Sequence, residues 1–114
     1  LLPRFHCVLR ERRADLGVAA FQQHWRNQHA ALVRACPATA RYIRRYVQCL
    51  TIAAAYADGE PAFDGTAELW FDSDADRASF FSDPDYLATV QPDESRFADM
   101  AQTRFFVTEE YPVI

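Results

Sequence analysis

Apolar residues recur every three or four positions from Val18 to Val33, and this spacing predicts an amphipathic helix. About one quadrant of that helix carries the core-facing side chains, which are Val18, Phe21, Trp25, His29 and Leu32. His29 is the ionisable member of this stripe, and His24 lies on its flank. A core-facing histidine is either a hydrogen-bonded structural residue or a residue with a chemical role. The pattern alone leaves both interpretations open.

Four other segments have the branched and aromatic composition of β-strands, namely Arg4–Arg10, Arg41–Thr51, Gly65–Asp72 and Thr103–Tyr111. A second, shorter helix is predicted from Ser73 to Phe81, because Ser73 and Asp76 form a capping pattern at its start. Pro37 should end the first helix. One further helical turn is predicted from Asp93 to Met100.

The predicted order is therefore β-α-β-β-α-β, over a chain of 114 residues that forms a single domain. This order indicates an α+β fold of the split β-α-β type, with a four-stranded antiparallel sheet and both helices on one face. The Gly65–Asp72 strand is apolar on both faces, so the second face of the sheet also needs a cover. A second copy of the chain would supply it, which predicts a symmetric homodimer.

Charge and composition exclude several classes of function. The net charge of −4 argues against a nucleic-acid partner, since phosphate binding needs a basic surface. All twelve basic residues are arginine, which excludes Schiff-base lysine chemistry and the lysine of a phosphate-binding loop. Three glycines cannot build a dinucleotide-binding fingerprint.

Metal, disulfide and membrane functions are not expected either. The three cysteines form no CxxC pair, and His24 and His29 are five positions apart, ~140° around a regular helix, where paired metal ligands need three or four. We expect neither a metal nor an organic cofactor. No apolar run approaches the ~18 residues of a membrane helix, and the first residues do not have the pattern of a signal peptide. A cytoplasmic protein is the resulting expectation.

Several motifs along the chain together resemble the EthD family. They are Phe21-x-x-x-Trp25-x-x-x-His29 followed by Tyr46, the segment DGTAELWFD from Asp64 to Asp72, the turn Asp83-Pro84-x-Tyr86, and Asp93-Glu94-x-x-Phe97. The resemblance extends from Phe5 to Val113. It implies a ferredoxin-like protomer in a dimeric α+β barrel, in agreement with the fold predicted from the pattern.

The resemblance also implies a class of chemistry. Relatives in the wider superfamily include polyketide cyclases, dehydratases, decarboxylases, muconolactone isomerases and cofactor-free monooxygenases. In such proteins a cleft between helices and sheet holds an aromatic or polyketide-like substrate, and a histidine often moves the proton. His29 is the histidine that fits the family pattern, whereas His24 occupies a variable position.

These considerations give a set of candidate site residues. His29 is the candidate catalytic base, because a neutral imidazole can take a proton next to a carbonyl group. The candidate substrate-binding residues are Phe21, Trp25, Tyr46, Glu68 and His24. Phe21 and Trp25 would form an apolar wall and Tyr46 would donate to an enolate oxygen, unless all three only pack the core. Glu68 either faces the cleft and orients His29, or faces the dimer interface beside Arg44 or Arg104.

Three functions remain open at this level. The first is a small cofactor-independent enzyme that acts by proton transfer on an aromatic, lactone or polyketide-type carbonyl compound. The second is a binding or accessory protein in which the same cleft holds a small hydrophobic metabolite without turnover. The third is a cofactor-free monooxygenase that uses the cleft for an electron-rich substrate. The sequence leaves open whether the chain is an enzyme at all.

Overall fold

The structure is a computed structural model that describes residues 4–114, with side chains from residue 7 onward. Its strands are β1 (Arg4–Arg10), β2 (Ile43–Leu50), β3 (Gly65–Phe71) and β4 (Arg104–Glu109). They form one antiparallel sheet in the order β2-β3-β1-β4, with β3 and β1 in the centre. The predicted α+β fold with a four-stranded antiparallel sheet is confirmed. The fold is the ferredoxin-like split β-α-β arrangement.

The first helical run covers residues 18–35 and has a wide turn in its middle. It consists of α1 (Val18–Gln23), a π-helical segment (His24–His29) and α2 (Ala30–Ala35). The N–H of Ala30 reaches the carbonyl of Trp25, five residues earlier, and Gln48 of β2 donates to the same carbonyl at 2.9 Å. In this segment residues five apart therefore lie closer to the same side of the helix than in a regular α-helix, where they diverge by ~140°.

The second strand begins later than the sequence pattern predicts. After the first run ends at Ala35, a short helix α3 (Pro37–Tyr42) precedes β2. Pro37 ends one helix and starts the next, because proline is well accommodated in a first helical turn, where its missing N–H costs nothing. The prediction that Arg41 and Tyr42 belong to a strand is wrong for this reason. A 3₁₀ turn (Ala53–Tyr56) lies in the loop before β3.

A second set of helices packs beside the first run. Helix α4 (Asp74–Ser82) begins where Ser73 Oγ accepts a hydrogen bond from the N–H of Asp76 at 3.1 Å, as the capping pattern predicts. A second helical run, residues 86–94, follows as a π-helical segment (Tyr86–Val90) and α5 (Gln91–Glu94). The predicted turn from Asp93 to Met100 is misplaced, because the helix lies earlier in the chain and ends at Glu94.

The helices cover one face of the sheet and leave the other partly exposed. Burial alternates along β3, so that Ala67, Leu69 and Phe71 face the helices while Thr66, Glu68 and Trp70 face outward. The outward face (the open face) also carries Cys7 and Val47, which are the register partners of Glu68 on β1 and β2. Phe106 of β4 is on the same face, because it is the register partner of Cys7. On β4, a strand at the sheet edge, Phe106 is 47% exposed.

Candidate functional site

A cavity of about 420 Å³ lies between the sheet and the second helical run. Its apolar walls come from both layers and include Val8, Ala67, Leu69, Phe80, Phe81 and Val90. Its polar lining includes His29, Arg10, Glu94 and Tyr86. The cavity volume falls within the ~300–1,000 Å³ typical of small-molecule sites, and a few convergent polar groups among apolar walls are typical of such sites.

His29 lies at the end of the first π-helical segment and is 2% exposed, yet its side chain lines the cavity. Its Nδ1 atom is 2.9 Å from Oδ2 of Asp93. Because an ionised carboxylate only accepts, Nδ1 carries the hydrogen of that bond. Among the described residues no side chain or backbone group is hydrogen bonded to Nε2. The lone pair of the neutral ring therefore lies on Nε2.

Asp93 holds two histidines at once. His24 Nε2 lies 3.0 Å from both carboxylate oxygens of Asp93, which is itself 3% exposed. Burial acts to raise the pKa of Asp93, but the hydrogen bonds from His29 and His24 outweigh it and hold the pKa below its ordinary value. Asp93 is therefore ionised at neutral pH.

The wide turn of the first run brings the two histidines together. On a regular helix His24 and His29 would diverge by ~140°, but they are residues of one π-helical segment and both reach Asp93. Both rings also pack on Phe97, with centroid distances of 5.2 Å for His24 and 4.9 Å for His29. The regular-helix assumption behind the predicted divergence is wrong. π-Helical turns occur often at functional sites.

Burial sets the protonation state of His29. It lowers the pKa of this imidazole to about 4, against the raising effect of the hydrogen bond to Asp93, and the charge of nearby Arg10 lowers it further. His29 is thus a neutral ring over the whole physiological pH range. A proton taken up at Nε2 would create an imidazolium whose Nδ1–H already faces a carboxylate.

A second polar cluster lies in the same cavity. Arg10, from the last position of β1, is 3% exposed, and its Nη2 is 3.7 Å from Oε1 of Glu94. The hydroxyl of Tyr86 donates to the same oxygen at 2.8 Å. Burial and the Glu94 carboxylate raise the pKa of Tyr86 and keep its phenol protonated. Consecutive residues of α5, Asp93 and Glu94, thus position His29 and Arg10 respectively.

Phe21 and Trp25 do not form a wall of this cavity. Both are 0% exposed, and neither lines the cavity of His29. Their rings pack on each other at 5.4 Å and on Phe97 at 5.9 and 6.4 Å. The Trp25 ring also lies over Gly65, where an added Cβ would be 2.5 Å from Trp25 Cζ3. Phe21 and Trp25 are therefore core residues, and they contact His29 indirectly through Phe97, on which its ring packs.

Tyr46 does not line the cavity of His29, but its phenol is near enough to Arg10 and Glu94 for their charges to act on its pKa, which burial raises. Glu68 lies away from the cavity. Tyr46 lines a separate groove of about 520 Å³ between β2 and the first helical run, together with Gln48. Glu68 is on the open face, where it accepts a hydrogen bond from Cys49 Sγ at 2.6 Å. The strand alternation decides between the two orientations left open for Glu68, because Ala67 and Leu69 on either side of it line the cavity. Neither Arg44 nor Arg104 is its partner; Arg44 pairs with Asp72.

The sequence pattern gave no role to Asp93, Arg10, Glu94 or Tyr86. A signal was nevertheless present, because three of these four belong to the motifs Asp83-Pro84-x-Tyr86 and Asp93-Glu94-x-x-Phe97. These motifs indicated a family and, for Asp93-Glu94-x-x-Phe97, a helical turn, but no chemical role for their side chains. Arg10 had only the general signal of a charged residue at the end of a strand.

Two further properties concern the described residues. Between residues 7 and 114, where side chains are described, no group of three or more histidine, cysteine or acidic side chains is arranged to hold a metal ion. In the same part of the chain every helix is too short or too polar to cross a membrane.

Comparison with known proteins agrees with this fold. Residues 13–101 match the EthD domain. An EthD family protein from Bacillus halodurans superimposes with a TM-score of 0.72 at 22% identity, covering 96% of this chain and 100% of that one. A dimeric ferredoxin-like protein of unknown function from Bacteroides fragilis gives 0.69 at 19% identity, with coverages of 95% and 96%. A hydroxynitrile lyase from Passiflora edulis gives 0.68 at 18%, with coverages of 99% and 97%. No curated protein matches the sequence.

Proposed function

The protein belongs to the EthD family, since the match to the EthD domain spans most of the chain. We propose that it is a small cofactor-independent enzyme. In this proposal His29 moves a proton on an aromatic, lactone or polyketide-type carbonyl compound bound in the cavity. The observation that carries the proposal is the dyad of His29 and Asp93. Asp93 binds Nδ1 of the imidazole, and the ring, whose Nε2 has no hydrogen-bond partner among the described residues, lines a cavity with largely apolar walls.

The dyad defines a direction of proton transfer. The Nε2 lone pair of His29 takes a proton from the carbon next to the carbonyl group. The C–H electron pair becomes the C=C bond of an enolate, and the negative charge moves to oxygen. Asp93 stabilises the imidazolium through the Nδ1–H bond, and the proton is returned to carbon or to a leaving group in the next step. General-base catalysis of this kind contributes typically 10²–10⁴-fold.

The walls of the cavity support an apolar, ring-shaped substrate. Phe80, Phe81 and Leu69 present aromatic and branched surfaces at its sides. Their low polarity strengthens the electrostatic interactions of any charge that forms inside. A structure with the same fold is named as a hydroxynitrile lyase, so a chain of this size and architecture can carry an enzyme active site.

A homodimer is part of the proposal. The open face and the exposed side chains of β4 provide the apolar surface that a second copy would cover. Structures of the same fold from Bacteroides fragilis and Thermobifida fusca are described as dimeric. Phe105, Phe106 and Val107 belong both to this exposed strand and to the cavity lining, so dimer formation would also change the access to the cavity.

A binding or accessory protein is the second candidate, and one observation favours it. A base with a pKa of about 4 is weak for removing a proton from carbon. The same cavity would then hold a hydrophobic metabolite, with His29 as a hydrogen-bond acceptor.

Deuterium exchange distinguishes the two candidates without knowledge of the physiological reaction. The ketone 2-tetralone has a bicyclic aromatic frame and acidic hydrogens next to its carbonyl, and their exchange in D₂O is followed by proton NMR. We expect the protein to accelerate this exchange and His29→Asn to remove ~10²-fold or more of the acceleration. Gln28→Ala changes an exposed neighbour on the same helix and is the matched control. Binding of the ketone with equal exchange in wild type and His29→Asn would reject the enzyme and favour the binding protein.

A further inference from the structure

Arg10 is a buried cation whose donors have no oxygen acceptor in the described part of the chain. Its Nε is buried without a hydrogen-bond partner, and among the described residues Nη1 donates only to the thioether sulfur of Met100 at 3.9 Å. The nearest carboxylate oxygen, on Glu94, is 3.7 Å from Nη2, which is beyond hydrogen-bond length. A buried guanidinium normally satisfies most of its five N–H donors, so this arrangement is energetically costly unless another acceptor completes it.

The position of Arg10 identifies where that acceptor would be. The residue lines the 420 Å³ cavity together with His29, and it is close enough to His29 to lower the pKa of the imidazole. Its guanidinium carbon lies 5.6 Å from the centroid of the Phe97 ring, the ring on which His29 also packs. Arg10 and His29 therefore line the same cavity from neighbouring positions.

We propose that Arg10 is the anchor for an anionic oxygen of the ligand, so that the cavity selects apolar ring compounds that carry a carboxylate or an enolate-type oxygen. This inference rests on the proposed function for the enolate case, in which Arg10 receives the charge that forms when His29 takes the proton. Hydrogen bonds between a guanidinium and an anionic oxygen are short and roughly twice as strong as neutral ones. They gain further strength among apolar walls.

Glu94 and Tyr86 keep Arg10 in place without occupying its donors. The Tyr86 hydroxyl binds Oε1 of Glu94, the same oxygen that faces Arg10, and thereby holds the carboxylate in position. The carboxylate partly balances the buried positive charge, while its distance leaves the N–H groups available. His29 is neutral near pH 7 because its pKa is about 4, so a preference for anions at this pH cannot come from it.

Three naphthalene probes of equal frame test this assignment. At pH 7, 2-naphthoate carries a carboxylate, 2-naphthamide is its neutral counterpart, and 2-naphthol reports by its absorption whether it binds as the naphtholate, which resembles an enolate. Calorimetric titration should give at least ~10-fold tighter binding of 2-naphthoate than of 2-naphthamide, or binding of 2-naphthol as naphtholate. The first result identifies a carboxylate ligand and the second an enolate-type oxygen. Failure of all three probes to show either result would overturn the proposal.

Substitutions of Arg10 test whether this residue is the source of the preference for anionic probes. Arg10→Met should remove it, and Arg10→Met combined with Glu94→Gln should do the same without leaving an unbalanced carboxylate. Arg77→Met is the control, since Arg77 lines the same cavity but already bonds Asp74 through Nε at 2.8 Å. Retention of the preference in Arg10→Met, or its equal loss in Arg77→Met, would overturn the assignment.

Two further measurements test the role of Arg10 separately, one without any variant protein and one without the proposed base. In the wild-type protein the ¹⁵N–¹H resonance of Arg10 Nε, assigned by through-bond correlation to the backbone of Arg10, should shift with the anionic probe and not with 2-naphthamide. No shift would overturn the proposal even if every variant unfolds. The anion preference should also persist in His29→Asn, so failure of the catalytic proposal and failure of this one give different results.

Discussion

His29 Nδ1 and Asp93 Oδ2 are 2.9 Å apart although 64 residues separate them in the chain, and both side chains are almost completely buried. The contact joins the first helical run to the end of the second. It determines which nitrogen of the imidazole carries hydrogen and thus which nitrogen is available as a base. The first prediction tests this relationship directly.

Asp93→Asn should remove the anion that orients His29 and His24. We expect a loss of ~1–3 kcal/mol in the free energy of unfolding, because charge-assisted hydrogen bonds to two rings are weakened. The exchange of 2-tetralone should fall ~10²-fold or more. Urea denaturation and ¹⁵N NMR of the histidine rings provide the measurements. Asp85→Asn, at the exposed residue that immediately precedes the same helical run, is the control. An unchanged His29 tautomer with unchanged exchange would contradict the proposed role of Asp93.

The pH dependence of stability should reflect His29. In the unfolded chain this imidazole takes a proton near pH 6.5, whereas in the folded protein its pKa is about 4. Between these values the unfolded state binds more protons, so the free energy of unfolding should fall as the pH falls from about 6.5 towards 4. The loss in the free energy of unfolding from this residue should be on the order of 3 kcal/mol, from a pKa difference of about 2.5.

Urea denaturation at several pH values, with and without His29→Asn, isolates this contribution. The variant should show a shallower decrease over the same interval. NMR titration of the His29 ring should independently give a midpoint near pH 4. A midpoint near 6.5 would show that burial does not set the protonation state.

Gly65→Ala should destabilise the support of the site. The new Cβ would lie 2.5 Å from Trp25 Cζ3 and 2.5 Å from the carbonyl oxygen of Cys49, so ring or strand must move. Overpacking of this kind costs ~1–3 kcal/mol. Gly17→Ala, whose Cβ would meet no atom within 4 Å, should cost less. Thermal unfolding compares them, and equal melting temperatures would contradict the close packing of Trp25 on Gly65.

The proposed homodimer can be tested on the open face. Sedimentation of the wild type at micromolar concentration should give about twice the mass of one chain. Phe106→Arg should yield monomer, because a charge would be buried between the copies. Leu87→Arg changes a partly exposed apolar residue on the helical side and should remain dimeric. A monomeric wild type would reject the barrel assembly.

The fold could be derived from sequence because its signals are local. The alternation of Gly65–Phe71, the capping of Ser73 and the stripe of the first helix each depend on neighbours within a few residues. Their order then restricts the topology, since short right-handed connections leave few arrangements. The differences between predicted and observed boundaries also have local causes. Pro37 starts helix α3, whose last residues have the composition of a strand and were assigned to β2 from the sequence.

The candidate site depended on the tertiary structure. His29 was identifiable from the sequence as an ionisable residue in an apolar stripe, but its partner Asp93 is remote in sequence, and no periodicity connects them. A helical projection assumes a uniform turn, so it separated His24 from His29, which the π-helical segment brings onto one carboxylate. The same projection cannot tell which members of an apolar stripe border a cavity. Packing against Gly65 and Phe97 makes Trp25 core, and only the closure of sheet against helices buries Arg10 beside His29.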